Sequence, residues 1–405
     1  MGRWREYTGA HAKYSLRAGF DSAPNVRCCS LRRLPLVTDK PTALVFRKRL
    51  LAYSETFVAN QGYALRRHRP VFVGFQQDRA GLHHLARRDV EMLTDVASSV
   101  GMARLPMRLG LGPPRIWMRR LAATRPVVLH THFISAAKPG GQLARALGVP
   151  MVATAHGNDV TNPLTPAFRK ELAASLALCE RVIAVSQFIA DRLADAGCPD
   201  DKLVQHYIGI PLAGLDPTPV PSAPVVLFVG RFVEKKGIAY LLKAFRQVQA
   251  QCPGARLQLI GDGPLRASLQ ALDRELDTRA EFLGVKTPDE VHAAMRAARV
   301  LAAPSVRTER DAEGLGMVFL EAQALGRPVV GFRSGGIGEA VGHNQTGLLA
   351  AERDVEALAQ NLAQVLLDAT LAQTLGTAGA QRVRARFDIT RQTGALESIY
   401  EAARG

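Results

Sequence analysis

Two carboxylates, Glu313 and Glu321, are separated by seven residues in the segment Glu313-Gly-Leu-Gly-Met-Val-Phe-Leu-Glu321. Gly314 and Gly316 allow a helix to start near Leu315, which leaves Glu313 in a loop and Glu321 about a turn and a half inside. The amides of Gly316, Met317 and Val318 then lack helical acceptors at the positive end of the helix, a ready diphosphate site. Glycine lets phosphates come close to the backbone. One carboxylate on each side of a diphosphate can take sugar hydroxyls on one side and ribose hydroxyls on the other. Taken alone, two glutamates at this spacing are often solvated helix residues.

A second segment strengthens the first. Val229-Gly230-Arg231-Phe-Val-Glu-Lys235-Lys236-Gly237 follows an apolar run and leads into a helical pattern. Arg231, with its fork, and Lys236, as a point charge, can neutralise a leaving diphosphate. Surface charge at a helix start is the plainer reading of the same residues. Ile260-Gly261-Asp262-Gly263-Pro264 is a strand-to-helix turn, and Gly335-Gly336-Ile337-Gly338-Glu339 is another glycine-rich loop. His130-Thr131-His132 puts two imidazoles on one strand face, as a metal site does. It has no nearby carboxylate in sequence, and no Asp-x-Asp pair occurs in the chain, so no metal is expected.

These residues need elements to position them. Short apolar runs at Thr42–Phe46, Val71–Phe75, Val127–His130, Met151–Ala155 and Val182–Val185 read as buried strands. Helical stretches such as Phe168–Leu178 and Gln187–Ala196 lie between them, a parallel βαβ alternation. Ile210–Pro224 carries five prolines and reads as a linker. The pattern restarts with Val225–Val229, Leu257–Ile260, Ala280–Leu283, Val300–Ala302 and Val329–Gly331, with Ile238, Leu241, Leu242, Phe245 and Val248 on one helix face. The expected fold class is α/β, two doubly wound Rossmann-like domains facing across a cleft. Ligands then sit outside the carboxyl ends of the strands. The expected division is 1–40 as a basic, disordered extension or an over-long start, 41–210 as the acceptor domain and 211–224 as the linker. A donor domain at 225–385 and a C-terminal helix at 386–405 complete it.

Length and charge bound the partners. The chain has 405 residues, 47% hydrophobic and 22% charged, which suits two domains. No apolar run approaches the ~18 residues of a spanning helix. Five scattered cysteines suggest reduced thiols, and no secretory signal precedes the first strand. Residues 1–125 hold 23 Lys and Arg against 8 Asp and Glu, whereas the other 280 hold 29 against 28. That asymmetry suits a polyanionic partner such as an anionic membrane surface or a phosphorylated acceptor. The stretch Arg104–Arg125 holds six arginines beside Ile116, Trp117 and Leu121, and its second part suits an interfacial helix. No recognition helix or aromatic stacking motif accompanies the charge, so nucleic acid is not expected.

The ordered set of Arg231 and Lys236, the 261–264 turn, Phe282-Leu283-Gly284, Ala303-Pro304-Ser305 and the Glu313/Glu321 pair resembles family 4 of the glycosyltransferases over roughly residues 42–400. Ser54-Glu55-Thr56-Phe57 resembles the loop of its exopolysaccharide and colanic-acid type members. The resemblance implies a GT-B fold, a UDP- or GDP-hexose donor, retention at the anomeric carbon, and no cofactor or metal. It implies Arg231 and Lys236 on the diphosphate, Glu313 on the donor sugar, Glu321 on the ribose and Val285 against the base. Ala155-His156-Gly157-Asn158-Asp159 matches the segment whose histidine faces the reacting sugar. Ser54, Glu55 and His132 fall on the acceptor side. Gly338 stands where the family usually has proline, which leaves the role of Glu339 open. The implied acceptor is a glycan, free or linked to a polyprenyl diphosphate, at the cytoplasmic face of the inner membrane. An epimerase of the same fold, or a non-catalytic nucleotide-sugar binder, would not be expected to carry Glu313, Glu321, Arg231 and Lys236 together.

Overall fold

The computed structural model describes residues 40–51, 55–77, 85–162 and 164–405. The expectations for Ser54 and for the extension, apart from Lys40, therefore lie outside the described residues. The first domain is a seven-stranded parallel sheet, made of β1 (Thr42–Leu50), β2 (Arg69–Gln77), β3 (Val90–Met92), β4 (Pro126–His132), β5 (Met151–Ala155), β6 (Arg181–Ala184) and β7 (Leu203–Gln205). Its order is β3-β2-β1-β4-β5-β6-β7. The second is a six-stranded parallel sheet of β8 (Val225–Val229), β9 (Arg256–Ile260), β10 (Glu281–Gly284), β11 (Val300–Ala303), β12 (Val329–Phe332) and β13 (Gly347–Ala350), in the order β10-β9-β8-β11-β12-β13.

The central strands are apolar along their length because helices cover both faces of a parallel sheet. Leu44, Phe46, Leu129 and Ala153 belong to one core, and Val226, Phe228, Leu257 and Val330 to another. In each sheet the chain reverses direction of winding at a central pair, β1 with β4 and β8 with β11. Crevices for ligands open at such pairs.

In the first domain, helices α1 (Thr56–Tyr63), α2 (Val100–Arg108), α3 (Arg115–Ala123), α4 (Ala137–Leu147), α5 (Pro166–Leu176) and α6 (Gln187–Asp195) accompany the strands. The α3 helix corrects one expectation: Trp117 and Leu121 do not face a membrane but are fully buried in the domain core, where Trp117 packs on Phe75. Their spacing marks the inner face of α3, and only Ile116 points out, 63% exposed. Arg120 is likewise held, by Glu91 at 2.6 Å.

The second domain adds α7 (Ile238–Gln251), α8 (Arg266–Leu276), α9 (Pro288–Ala297), α10 (Met317–Ala324), α11 (Ile337–Ala340), α12 (Val355–Leu367) and α13 (Ala369–Arg386). The proline-rich connection is fixed to it, because the buried Arg327 guanidinium donates to the carbonyls of Thr218 and Pro219. The chain then crosses back as α14 (Ile389–Ala402) and docks on the first domain. There the buried Glu397 carboxylate accepts from the amides of Arg67 (2.6 Å) and His68 (2.9 Å). Tyr400 Oη lies 2.7 Å from His130 Nδ1. At the crossing, the Ile210 amide donates to Phe387 O (2.8 Å) and the Ile389 amide to Ile210 O (3.0 Å).

Candidate active site

On the second domain, the loop after β8 is pressed onto the loop after β11. Gly237 closes the turn at 234–236 with φ +67, and a Cβ there would lie 1.9 Å from Pro304 O. Only glycine meets both demands. The consequence is that Lys236 Nζ reaches Glu313 Oε2 at 2.9 Å. Burial would raise the Glu313 pKa, but the charges of Lys236 and Lys235 and hydrogen bonds from Lys236 and Ser305 outweigh it and lower the pKa to about 2. Glu313 is therefore an anion already oriented by its partner. Arg231 is exposed on the same loop, and among the described residues its guanidinium has neither a hydrogen bond nor an ion pair, although its carbonyl accepts from the Val233 amide at 3.0 Å.

The helix carrying Glu321 starts at Met317 and not near Leu315, because Gly316 takes φ +88 and serves as its cap. Glu321 thus lies just over one turn inside. Among the described residues, the amides of Gly316, Met317 and Val318 donate to no protein acceptor, whereas that of Phe319 already bonds Gly316 O at 3.0 Å. Three unpaired donors thus gather at a helix N-terminus that closely follows Glu313, the partner of Lys236, an arrangement that suits a diphosphate. Val285 is exposed beyond the end of β10, after Gly284 at φ +72.

The Glu321 carboxylate makes no hydrogen bond among the described residues, and burial lifts its pKa to about 7. Its ionised form is the better acceptor for two hydroxyls. If it holds the ribose, nucleotide-sugar affinity should rise with pH through 7. The ionised fraction changes from roughly 0.1 at pH 6 to roughly 0.9 at pH 8, so affinity should gain about tenfold over that range. Titration calorimetry at both pH values checks this, with Glu321→Gln as the control whose affinity no longer follows pH. An equal pH slope in the variant would remove Glu321 from the ribose site.

The first domain contributes imidazoles and aromatic rings. His156 follows β5, with Phe57 and Phe133 ring centroids 4.9 Å and 4.6 Å from its own. His132 Nδ1 stands 3.0 Å from His156 Nε2 and the two rings are stacked. Burial first, and then neighbouring positive charge from Arg47 and His130, pushes the His156 pKa well below the usual range. His156 is thus neutral, a group that can give or take a hydrogen bond but carries no charge. Asp159 shapes its loop by accepting from the amides of Ile134 (2.8 Å), Gly157 (3.0 Å) and His156 (3.1 Å). Glu55 does not cap α1 with its side chain; instead it accepts from Arg47 Nε at 3.1 Å, and the Arg47 guanidinium lies 3.7 Å over the Phe133 ring. His130 is spent on Tyr400 and on Thr154 Oγ1 at 2.7 Å.

The two halves meet. A Cβ on Gly314 would lie 2.0 Å from His156 O, so the glutamate loop touches the histidine loop across the cleft. Arg231, Lys236, Glu313, Glu321 and the three amides all belong to the second domain, and His156, backed by the buried His132, belongs to the first. Sequence reasoning missed Arg47 and Phe133 on the acceptor side. Their one signal was position, at the carboxyl ends of β1 and β4.

Comparison with known proteins bears on this arrangement. Residues 54–213 match the model of Glycosyltransferase Family 4, and residues 223–368 match that of Glycosyl transferases group 1. A GDP-mannose-dependent alpha-(1-6)-phosphatidylinositol monomannoside mannosyltransferase of Mycobacterium tuberculosis is 32% identical over 324 residues, 74% of this chain and 83% of that protein. The putative colanic acid biosynthesis glycosyltransferase WcaL of Escherichia coli is 34% identical over 248 residues, 57% of this chain and 60% of that protein. Among solved structures, Anabaena Alr3699/HepE in complex with UDP-glucose superposes with a TM-score of 0.68 at 19% identity, covering 89% of this chain and 99% of that one. Sucrose-phosphate synthase from Thermosynechococcus elongatus gives 0.70 at 22%, covering 90% and 100%. At those identities the superpositions establish the fold.

Proposed function

Since the chain belongs to the family 4 glycosyltransferases, we propose that it moves a hexose from a UDP- or GDP-sugar to a glycan or lipid-diphosphate-linked acceptor, with retention at the anomeric carbon and no metal ion. One observation carries the reading: the Lys236–Glu313 pair and the free amides at 316–318 stand against His156 across a single cleft. The colanic-acid and mannosyltransferase relatives favour an exopolysaccharide or glycolipid product.

Arg231, Lys236 and the three amides take the diphosphate and stabilise it as it leaves. Glu313, held by Lys236, orients hydroxyls of the donor sugar, and neutral His156 bonds the same sugar from the other wall. Glu321 holds the ribose and the backbone at Val285 the base. Glu313 is committed to Lys236 and Glu321 to the nucleotide, so neither is placed as a nucleophile. As the sugar–phosphate bond breaks, the departing phosphate oxygen accepts the proton of the acceptor hydroxyl, which attacks from the face the phosphate leaves. Cations supplied by Arg231 and Lys236 replace the usual role of a metal ion. The test is transfer from UDP-glucose and GDP-mannose in the presence of EDTA, with the product anomer read by NMR. Retained configuration and full activity in EDTA are expected; an inverted product, or loss restored by magnesium, refutes the proposal.

The acceptor domain also supports docking at an anionic membrane, on the cytoplasmic face for a lipid-linked acceptor. Among the described residues no helix is long and apolar enough to cross a membrane. Met102, Leu105, Leu109, Leu111 and Ile116 are all exposed along α2, α3 and their connection, beside exposed Arg108, Arg115 and Arg119. Apolar side chains and cations on one surface suit the interface of an anionic bilayer, at about 1 kcal/mol per well-placed cation. Binding to vesicles should rise with anionic lipid and fall with salt. Arg115→Glu with Arg119→Glu should weaken it without altering nucleotide affinity. Equal binding to neutral vesicles would contradict the electrostatic part.

A further inference from the structure

Glu339 belongs to the donor domain, but its carboxylate is bound to the acceptor domain. Oε2 accepts from the Gln187 amide at 2.8 Å and Oε1 from the Phe188 amide at 3.1 Å. Tyr207 Oη adds a third bond to Oε2 at 3.1 Å. Gln187 and Phe188 open α6, whose Ser186 side chain takes only the Ile189 amide at 3.3 Å. The first two amides of that helix therefore have no acceptor of their own, and a carboxylate from across the cleft supplies it at the positive end of the helix dipole. On its own side, Glu339 is fixed at the backbone, where Arg382 Nη2 donates to its carbonyl at 2.7 Å.

The same short helix ties this contact to the site. Glu339 sits three residues after Gly336, whose amide donates to Glu313 O at 2.9 Å. A Cβ on Gly336 would lie 2.0 Å from Gly314 O and 2.9 Å from Ser186 Oγ. The glycine loop thus lies wedged between the Glu313 loop and the start of α6. Gly338 is exposed with nothing near its missing Cβ, so this position does not restrain the loop. Restraint comes from the Glu339 carboxylate.

We propose that Glu339 is an interdomain latch, a positioning residue that holds the cleft closed with Glu313 and His156 in register by capping α6. Parting of the domains breaks three hydrogen bonds to one carboxylate and exposes two helix amides. Closure restores them together. Retention, metal independence and membrane docking have no part in this; the latch rests only on the cleft being the place of transfer.

Two variants of the full chain test it. Glu339→Ala removes the carboxylate. Gln187→Pro removes one of its donors at the first helical position, where proline is well tolerated. Ser186, at φ -160 and ψ 164, already has the extended backbone that a following proline requires. Hydrogen exchange at the Gln187 and Phe188 amides should quicken at least about tenfold in Glu339→Ala, as expected when a charge-assisted bond is lost. Transfer from UDP-glucose or GDP-mannose should fall by about tenfold in kcat, while affinity for UDP or GDP stays within about twofold. Gln187→Pro should lower kcat in the same sense, and the double variant should lose no more than the worse single one, since both break one interaction. Unprotected amides in the wild type, unchanged exchange in Glu339→Ala, or additive losses in the double variant would each overturn the latch. A fall in nucleotide affinity equal to that in kcat would place Glu339 in the donor clamp instead. Failure of the wild type to bind either nucleotide would fault the donor site, a separate outcome.

Discussion

Lys236→Ala should lower transfer by about a hundred- to a thousandfold while leaving the protein folded. Two losses combine in it. The first is the cation proposed to stabilise the leaving diphosphate, and removing one such preorganised group typically costs about 10²–10³ in kcat. The second is the partner of Glu313. With Lys236 Nζ gone from 2.9 Å, Ser305 and the charge of Lys235, itself engaged with Asp311 at 3.0 Å, are left to offset the burial of that carboxylate. Its pKa should climb, because burial is already the largest single influence on it. An unpaired half-buried carboxylate also turns away to find water, which costs the sugar its orientation. Lys236→Arg should not restore activity, since a planar fork cannot occupy the place of a compact ammonium in a loop closed by Gly237. Glu313→Gln separates the two effects: it keeps the shape and frees Lys236, so nucleotide affinity should hold or rise while kcat falls. Retention of more than about a tenth of wild-type kcat in Lys236→Ala would remove this residue from the diphosphate.

Much of the donor domain was legible because each of its signals is local. Strands such as Val225–Val229 are continuous apolar runs, and α7 places its apolar residues at helical spacing on one face. Arg231, Lys236, Glu313 and Glu321 lie at the carboxyl ends of strands, where the fold class alone puts ligands. Three edge strands, Val90–Met92, Leu203–Gln205 and Gly347–Ala350, escaped notice: the first two have three residues with a polar one among them, and the third opens on a glycine, so none shows the continuous apolar run that reveals equally short central strands such as Val300–Ala303. Trp117 was assigned to the wrong face for a different reason. A short helix with arginines on one side and apolar residues on the other looks the same whether it packs on a core or on lipid, and only the Phe75 ring beneath it decides.

The acceptor wall was less legible because it is assembled from separate loops. Arg47 follows from β1, Phe133 from β4 and His156 from β5, and their meeting depends on the sheet order β1-β4-β5. No spacing in the chain records that order. Glu339 is the extreme case. In the sequence it ends a glycine-rich loop with an unusual Gly338, and its partners lie more than 130 residues away, at Gln187, Phe188 and Tyr207. A long-range hydrogen bond to backbone amides leaves no residue-type signature on the partner, since any residue but proline supplies the same N–H group.

Gly314→Ala should lower transfer by about a hundredfold or more, with nucleotide affinity nearly intact. The added Cβ would lie 2.0 Å from His156 O, 2.9 Å from its carbonyl carbon and 3.3 Å from Val185 Cγ2. A carbon needs about 3.5 Å from such neighbours, so the loops must separate by more than about 1 Å. His156 O belongs to one domain and Gly314 to the other, so the strain is relieved by parting the cleft and not by repacking either core. A misplacement of about 1 Å between reacting groups can cost about a hundredfold in rate. The nucleotide contacts proposed at Arg231, Glu321 and the 316–318 amides all lie on the second domain and would move as a body, which is why affinity should persist. Gly338→Ala, with nothing within 4 Å of its added methyl, is the matched control and should transfer at the wild-type rate. Thermal unfolding separates a folding defect from a closure defect: a Gly314→Ala protein with unchanged Tm and unchanged UDP or GDP affinity has lost only the alignment of the two walls. A variant that still transferred within about threefold of wild type would mean that the contact between the His156 and Glu313 loops is not part of the reacting state.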